Sequence, residues 1–373
     1  MAWRPVIPCD VPAGARRRRR GGGGAPFELE RGGALTTRRV AVGGGGAHRA
    51  ANGAELAHAG EDVVLIEQWP EHVEAMRRHG ARIEMPEYTL TQPVRVHHLC
   101  EVATLREPFD IVLLVNKAYD TRWSCHLIAP LLKPDGLLVG VQNGMTVDAI
   151  AEAVGPQRTM GCVIEISSMM FDPGVVQRHS GHARSWFAVG GIDPATRGRE
   201  EEVARLLRHS GAVEIVDDIR ATKWMKLVSN ATTLVTTAIL GLPMKQAVLL
   251  PGMRELMLRS GQEALDTGRA LGHRVLPIFG LTAADLGGTD RLVERLLDTL
   301  LAGFVLPETK TTVLQDWMKG RHSEVDELNG LVAREGRRHG VATPVNDAVV
   351  ARAPRIPPRQ QHPQPGHLPQ VKN

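Results

Sequence analysis

A run of four glycines between a short apolar segment and a helical pattern constrains the fold of this chain most strongly. The strand-like segment Val40–Val42 precedes Gly43–Gly46, and a second apolar segment, Asp62–Glu67, follows the helical pattern. A strand, a glycine turn, a helix and a strand within about 30 residues form the unit that binds dinucleotides. Glycines let backbone N–H groups approach a pyrophosphate, and the helix N-terminus adds a favourable potential. The pattern therefore predicts a Rossmann-type α/β domain with Gly44 and Gly46 at the cofactor.

The glycine pattern departs from the usual fingerprint at its third position. Read from Gly44, it places Arg49 where a glycine normally allows the helix to pack closely on the strand. Read from Gly43, it places His48 there. We therefore expect the helix and strand to pack less closely at this point, or to shift. Cofactor binding is in question for the same reason, so a nucleotide-binding protein without turnover is an alternative.

An acidic residue ends the second strand about 20 residues after the glycines, at the usual distance for a ribose ligand. Glu67 stands where a carboxylate commonly binds the adenine ribose hydroxyls of NAD and repels the extra phosphate of NADP. Its presence favours NAD(H). An ordinary carboxylate at a strand end is the alternative.

Two later apolar strands end in polar loops. Lys117 follows the strand Phe109–Val115, and Asn143 follows the strand Leu137–Val141. In a doubly wound sheet, ligands lie outside the carboxyl ends of the strands. We therefore expect Lys117 and Asn143 on the cofactor side of the site. For Asn143 the alternative is plain turn chemistry, because Asn-Gly is a strong turn signal.

The second half of the chain changes from strand to helix patterns. Residues 158–217 alternate short strand-like pieces with one helix and complete the first domain. The later helical patterns are an opening helix from Ile219, then Pro251–Leu271, Asp290–Leu300, Glu308–Lys319 and Glu324–His339. We therefore expect a Rossmann-type domain over residues 38–217 and an all-helical domain over residues 218–350.

The opening helix carries a lysine on an otherwise apolar surface. Lys226 and Asn230 lie one turn apart, so they can point at one small polar ligand. Because Lys226 comes just after the domain junction, we expect it at the lip of an interdomain cleft. A solvated lysine on an amphipathic helix is the alternative, and it is the usual environment of this residue type.

Both ends of the chain have compositions that do not favour a core. Residues 1–37 contain Arg16–Arg20 and Gly21–Gly24, and residues 351–373 contain six prolines. We expect both to be disordered tails. For the first tail, a basic arm for nucleic acid, a targeting peptide or a start codon placed too far upstream are alternatives.

Composition narrows the class of protein. The net charge of the 373 residues is +4, and Arg16–Arg20 supply five positive charges, so a nucleic-acid partner is not expected for the folded part. The four cysteines lie far apart without paired ligand spacing, which predicts free thiols and no metal site. No apolar run approaches the roughly 18 residues of a membrane helix, and no signal-peptide pattern is present, so we expect a cytoplasmic protein.

Taken in order, these motifs resemble the ketopantoate reductase family over roughly residues 38–350. They are the glycine loop, Asn116-Lys117-Ala118, Gln142-Asn143-Gly144-Met145, Lys223–Asn230 and Arg321–Gly330. The resemblance implies a nicotinamide-dependent oxidoreductase that reduces 2-dehydropantoate, or a related small 2-keto acid, to the 2-hydroxy acid. It implies NADP(H) as the family default, against the NAD(H) that Glu67 favours, and it leaves a homodimer open.

The resemblance also implies roles for individual residues. Lys226 looks like the proton donor, and Glu324 looks like the carboxylate near the substrate and cofactor. Asn230 looks like a substrate-contacting amide, and Thr312 stands where the family usually has a serine hydroxyl. A cationic donor suits this chemistry, because hydride addition leaves negative charge on the ketone oxygen. For Glu324 the alternative is an acid at a helix start, with Ser323 as the N-cap.

Two pocket positions depart from the family. Leu234 stands where a second asparagine is usual, and Met244 lies near another polar substrate contact. A site that lacks its hydrogen-bonding partners can change substrate preference strongly. The exact keto acid is therefore open.

Overall fold

The computed structural model describes residues 38–286 and 291–353. In chain order the strands are β1 (Arg39–Gly44), β2 (Asp62–Glu67), β3 (Ala81–Glu84), β4 (Thr89–Gln92), β5 (Arg95–His98), β6 (Phe109–Leu114), β7 (Leu132–Val141), β8 (Thr159–Glu165), β9 (Ser168–Met169), β10 (Val175–Arg178), β11 (Trp186–Gly191) and β12 (Ala212–Ile215). The helices between them are α1 (Ala47–His58), α2 (Pro70–His79), α3 (Thr121–Ile128), α4 (Val147–Val154) and α5 (Glu200–Leu207). The predictions for residues 1–37 lie outside the described residues.

Eight strands form one large sheet in the order β12-β11-β8-β7-β6-β1-β2-β5. Neighbouring strands are parallel except for the antiparallel pair of β8 and β11. The chain leaves β1 for β2 on one side and later returns to β6 on the other, so the strand order reverses at β1. In such sheets the ligand crevice lies outside the carboxyl ends of the strands at the point of reversal. The expectation of a Rossmann-type α/β fold is confirmed.

A second, smaller sheet has the order β4-β3-β10-β9 and packs over α1. Sequence patterns did not predict it, because strands of two to four residues are too short to show a periodicity. The sheet buries polar residues of α1. Arg178 of β10 forms a buried ion pair with Glu55, and Ser210 also donates to this carboxylate.

After β12, the described residues form helices and the loops that connect them. Its helices are α6 (Ile219–Ala238), α7 (Met244–Ala247), α8 (Met253–Ala270), α9 (Leu292–Gly303), α10 (Thr312–Met318), α11 (Asn329–Arg338) and α12 (Pro344–Arg352). The expected all-helical second part is confirmed, whereas the domain boundaries 38–217 and 218–350 stay a prediction. The short α7 and the final α12 were not predicted. Residues 351 and 352 belong to α12 rather than to the expected tail, and the prediction for residues 354–373 lies outside the described residues.

Helix α6 is the centre of the helical part. All of its residues except Arg220 and Leu234 are buried, because α8, α9 and α10 surround it and β8 and β11 cover it on the side of the sheet. A helix buried on every side is a core element rather than a surface helix. The alternative that Lys226 lies on the solvated face of an amphipathic helix is therefore wrong.

Two further expectations concern the chain as a whole. Cys100, Cys125 and Cys162 are free, as predicted, and Cys9 lies outside the described residues. No helix within residues 38–286 and 291–353 is long and apolar enough to cross a membrane.

Candidate active site

The glycine loop after β1 leaves space in front of the first turn of α1. Gly44 and Gly46 have φ values of +132° and +129°, which residues other than glycine rarely adopt. A Cβ on Gly44 would lie 2.5 Å from the backbone nitrogen of Asn116, whereas none of the described atoms lies within 4 Å of the Cβ position of Gly46. Backbone N–H groups at a helix N-terminus with open space before them fit a diphosphate. The loop is therefore suited to a dinucleotide.

Arg49 and Glu67, the unusual residue of the fingerprint and the acid at the end of β2, are partners. Their side chains form an ion pair in which both are fully buried. Arg49 also donates to the carbonyl oxygens of Gly44 and Ile66, and the Glu67 carboxylate accepts from the backbone N–H of Trp69 at 2.8 Å. The expectation that Glu67 presents a free carboxylate to a ribose is thus corrected. The carboxylate has a structural role at the end of β2, which agrees with the alternative of a strand-end acid.

The close contact between α1 and β2 lies one turn beyond Arg49. A Cβ on Gly53 would lie 2.8 Å from the side chain of Leu65, so this glycine allows the helix to rest on the strand. The sequence predicted looser packing at Arg49 or a shift of the contact. The structure shows the shift.

One cleft forms where the carboxyl ends of the strands meet the helical part. Five of the predicted site residues line it: Gly46, Lys117, Asn143, Thr312 and Glu324. Gly44, Glu67, Lys226 and Asn230 lie outside this lining. The hydroxyl of Thr312 is buried and has no hydrogen-bond partner among the described residues, so it is available to a ligand.

Lys117 connects the sheet to the helical part across this cleft. Its Nζ atom donates to Asp316 at 2.6 Å and to Glu324 at 3.3 Å, and the backbone N–H of Ala118 donates to the other oxygen of Glu324 at 2.9 Å. Burial opposes the charge on Lys117, but the two carboxylates outweigh it and raise its pKa. Asp316 was not predicted from the sequence, although it lies only four residues after Thr312 on α10.

Glu324 lies in a turn before α11, which begins at Asn329. Glu324 is 3% exposed, and its carboxylate accepts hydrogen bonds from Lys117 and from the backbone N–H of Ala118. The hydroxyl of Ser323 accepts from the indole N–H of Trp317 at 2.9 Å rather than capping a helix. The alternative of a helix-start acid is therefore wrong.

Lys226 is paired with a carboxylate that the sequence did not reveal. Its ammonium group forms an ion pair with Glu165 at the end of β8, and the lysine is 7% exposed. The Nζ atom also lies 5.0 Å from the centroid of the Phe279 ring. Phe279 has a φ of 63°, the one positive φ of a non-glycine residue in the described part of the chain. The partner of Lys226 is thus Glu165, whereas Glu324 pairs with Lys117.

Two other residues of α6 hold this helix against the sheet edge. Asn230 donates to the side-chain oxygen of Asn143 at 3.0 Å. Lys223 donates to the carbonyl oxygens of Gln142 and Cys162 at 2.7 and 3.3 Å, and its burial lowers its pKa to about 8. The residues following β7 and the end of β8 are therefore fixed relative to Lys226. Asn143 contributes this contact in addition to its place in the turn.

His48 also lines the cleft, at the start of α1. Its Nδ1 atom lies 3.0 Å from the hydroxyl of Ser168. Burial, together with the nearby charges of Lys117, Arg178 and Lys226, lowers the pKa of His48 to about 4. It is therefore neutral at pH 7. In the sequence, His48 stands out only as a residue at the position of a fingerprint glycine.

Family comparisons identify this arrangement. The model of the ketopantoate reductase PanE/ApbA family matches residues 40–191, and the model of its C-terminal region matches residues 218–354. The chain belongs to the ketopantoate reductase family. The resemblance inferred from the motifs is confirmed, and the family consists of nicotinamide-dependent oxidoreductases acting on CH–OH groups.

Individual relatives agree with this assignment. The chain is 29% identical over 325 residues to the 2-dehydropantoate 2-reductase of Mesorhizobium japonicum, covering 81% of this chain and 93% of the relative. It is 27% identical over 308 residues to the enzyme of that name from Archaeoglobus fulgidus, covering 81% and 92%. Similarity therefore extends over nearly the whole length of these relatives.

Solved structures show the same fold. The 2-dehydropantoate 2-reductase of Geobacter metallireducens superposes with a TM-score of 0.70 at 25% identity, covering 84% of this chain and 98% of the other. A D-mandelate dehydrogenase solved with NADH and anilino(oxo)acetate gives a TM-score of 0.74 at 20% identity, covering 84% and 96%. At this identity, the similarity to the D-mandelate dehydrogenase shows a shared fold only.

Proposed function

We propose that this member of the ketopantoate reductase family reduces 2-dehydropantoate, or a closely related 2-keto acid, to the 2-hydroxy acid with NAD(P)H. The observation that carries the proposal is the buried ammonium of Lys226, held by Glu165 at the same sheet edge as the glycine loop. Lysine is seldom buried unless it is paired with an opposite charge, as Lys226 is with Glu165. The names and full-length similarity of the relatives support the same activity.

The proposed chemistry adds a hydride to the carbonyl carbon and a proton to the carbonyl oxygen. The reduced nicotinamide, when bound, supplies the hydride. Lys226 donates the proton to the oxygen as negative charge develops there, which both stabilises that charge and completes the alcohol. Glu165 keeps the ammonium in place, because a buried cation without a counter-charge is costly.

The remaining residues bind and orient the reactants. The backbone N–H groups at Gly44–Gly46 and the N-terminus of α1 suit the diphosphate of the cofactor. Lys117 and Asn143 line the cofactor side of the cleft, and Glu324 holds Lys117 there. Asn230 and Thr312 supply polar groups for the keto acid. We expect the reaction to take place in the cytoplasm, and the protein to act as a monomer or a homodimer.

The choice of keto acid depends on two apolar side chains. Met244 is 4% exposed, and Leu234 is partly buried beside the same helix-rich core. Neither can donate or accept a strong side-chain hydrogen bond, so a substrate with a hydroxyl group gains nothing there. A keto acid with an apolar side chain is therefore the natural competitor of 2-dehydropantoate.

An activity screen tests the proposal. The purified full chain is incubated with NADPH or NADH and with 2-dehydropantoate, 2-oxoisovalerate and pyruvate, and oxidation of the cofactor is followed. We expect turnover with at least one of these acids and the highest kcat/KM with 2-dehydropantoate or 2-oxoisovalerate. Cofactor oxidation with none of them contradicts the proposed reaction.

A nucleotide-binding protein without turnover is the second candidate. The observation that favours it is Arg49, because its side chain occupies the position of the third fingerprint glycine. Titration with NADPH and NADH separates the two candidates. Cofactor binding without reduction of any keto acid supports this second candidate, and absence of binding contradicts both.

A further inference from the structure

A second pocket lies beside the ends of β2 and β6, the two strands that flank β1. Gln68 and Trp69 follow β2, Tyr119 follows β6, and Arg321 and His322 come from the segment between α10 and α11. In doubly wound sheets, the adenosine half of a dinucleotide lies near the end of the second strand. The position of this pocket therefore fits an adenosine group.

Glu67, the carboxylate that would repel the 2′-phosphate of NADP, does not line this pocket. Glu67 is buried, and its charge is neutralised by Arg49. The next residue, Gln68, is exposed and has its amide above the glycine loop, where its Nε2 atom would lie 2.6 Å from a Cβ on Gly45. A neutral amide does not repel the 2′-phosphate that distinguishes NADP from NAD.

The side of this pocket that the helical part forms carries a cationic side chain, Arg321. The guanidinium of Arg321 lies 5.4 Å from the centroid of the Trp69 ring, so the two side chains bridge the helical part and the end of β2. Arg321 forms no ion pair within residues 38–286 and 291–353. It also lines the main cleft, and it therefore lies between the glycine loop and the second pocket.

Arginine suits a phosphate for a geometric reason. Its planar fork offers parallel N–H groups that match two phosphate oxygens, and its charge persists at any physiological pH. A second arginine near the cofactor, Arg49, is committed to Glu67 and to backbone carbonyls. Arg321 is thus the available partner for a phosphate at this end of the cleft.

We propose that Arg321, from the helical part, recognises the 2′-phosphate of NADP(H) when the adenosine end of the cofactor lies in this pocket. In this arrangement the phosphate is recognised across the cleft, and the end of β2 contributes the neutral Gln68. The protein then prefers NADP(H), opposite to the preference that Glu67 alone would indicate. This inference rests on the proposed function only in requiring a nicotinamide dinucleotide.

Binding of two cofactor fragments tests the inference without turnover. The full chain is titrated with 2′,5′-ADP and with 5′-AMP, which differ in the 2′-phosphate, and tryptophan fluorescence and calorimetry report binding. We expect 2′,5′-ADP to bind at least about tenfold more tightly. Arg321→Gln should weaken 2′,5′-ADP by about 10- to 100-fold, the size of a lost charge-assisted contact, and should change 5′-AMP by less than about twofold.

Two further variants separate charge from geometry. Arg321→Lys keeps the charge but not the fork, so its affinity for 2′,5′-ADP should fall between those of the wild type and Arg321→Gln. Arg334→Gln removes an exposed arginine of α11 that donates to the carbonyl of Asp326, and it should leave both affinities unchanged.

Several results would overturn the inference. These are equal affinity for the two fragments, binding of neither fragment, and an Arg321→Gln variant with wild-type preference. Its failure is distinguishable from failure of the proposed reaction. An inactive protein with an Arg321-dependent preference for 2′,5′-ADP supports the inference alone, and an active protein without that preference supports the reaction alone.

Discussion

Arg49 and Glu67 form a buried ion pair that joins the first turn of α1 to the end of β2. Through the same guanidinium, Arg49 binds the carbonyl oxygens of Gly44 and Ile66. The side chain of Arg49 therefore fixes the glycine loop to the end of β2. The close contact between α1 and β2 lies at Gly53 instead of at residue 49. The two departures from the usual fingerprint compensate each other.

Removal of Arg49 should destabilise the protein strongly. Arg49→Leu leaves the Glu67 carboxylate buried without its counter-charge, and breaking a buried ion pair in this way typically costs about 3–5 kcal/mol. Urea unfolding measures the change. The double variant Arg49→Leu/Glu67→Leu removes both charges and should recover most of the loss. An Arg49→Leu protein within about 1 kcal/mol of wild type would show that the pair does not matter to folding.

Gly53→Ala should also destabilise the protein, although alanine is the better helix former by roughly 1 kcal/mol. The added Cβ would lie 2.8 Å from the Leu65 side chain, so the helix or the leucine must move. As a control, Gly303→Ala adds a methyl group at the end of α9, where none of the described atoms lies within 4 Å. Thermal unfolding should rank Gly53→Ala below both wild type and the control. The reverse order would contradict the tight contact.

The parts of this fold with a periodic pattern were predictable, and those set by tertiary contacts were not. The strand–glycine–helix–strand unit follows from its glycines together with the apolar segments on either side, the long helices follow from their apolar periodicity, and the structure has both. Glu165 gave no signal, because it is one acid at the end of an apolar strand and becomes the partner of Lys226 only through packing of α6 on β8. The prediction that Glu67 binds a ribose was wrong for the same reason, because nothing in the spacing of the sequence reveals that Arg49 reaches this carboxylate.

Glu165→Gln should lower turnover without abolishing cofactor binding. The variant removes the counter-charge of Lys226 but keeps the shape of the side chain, so the ammonium becomes a buried cation held less firmly. We expect kcat to fall by at least about tenfold, within the range that positioned acid–base groups contribute. The matched variant Glu214→Gln changes a carboxylate on β12 that binds the indole of Trp186, and its kcat should stay near the wild-type value. Equal kcat values for the two variants would contradict the role of Glu165.

His48 should make the folded protein sensitive to mild acid. Its pKa is about 4 in the folded protein and about 6.5 when unfolded, so the unfolded chain binds more protons between these values. The contribution of His48 to stability is therefore constant above about pH 6.5 and falls as the pH drops toward 4, by up to about 3 kcal/mol. Urea unfolding at pH 7.5 and pH 5 should show a smaller loss for His48→Gln than for wild type. An identical loss in both would contradict the lowered pKa of His48 in the folded protein.

The most direct test of the account is the turnover of Lys226→Ala, measured together with its affinity for NADPH. The matched control is Lys245→Ala on α7, which removes a lysine from another helix of the same part. We expect kcat of Lys226→Ala to fall by about 100- to 10,000-fold, the contribution of a positioned proton donor, while NADPH affinity and the activity of the control stay near wild type. Wild-type kcat in Lys226→Ala would contradict the central claim that this buried ammonium supplies the proton.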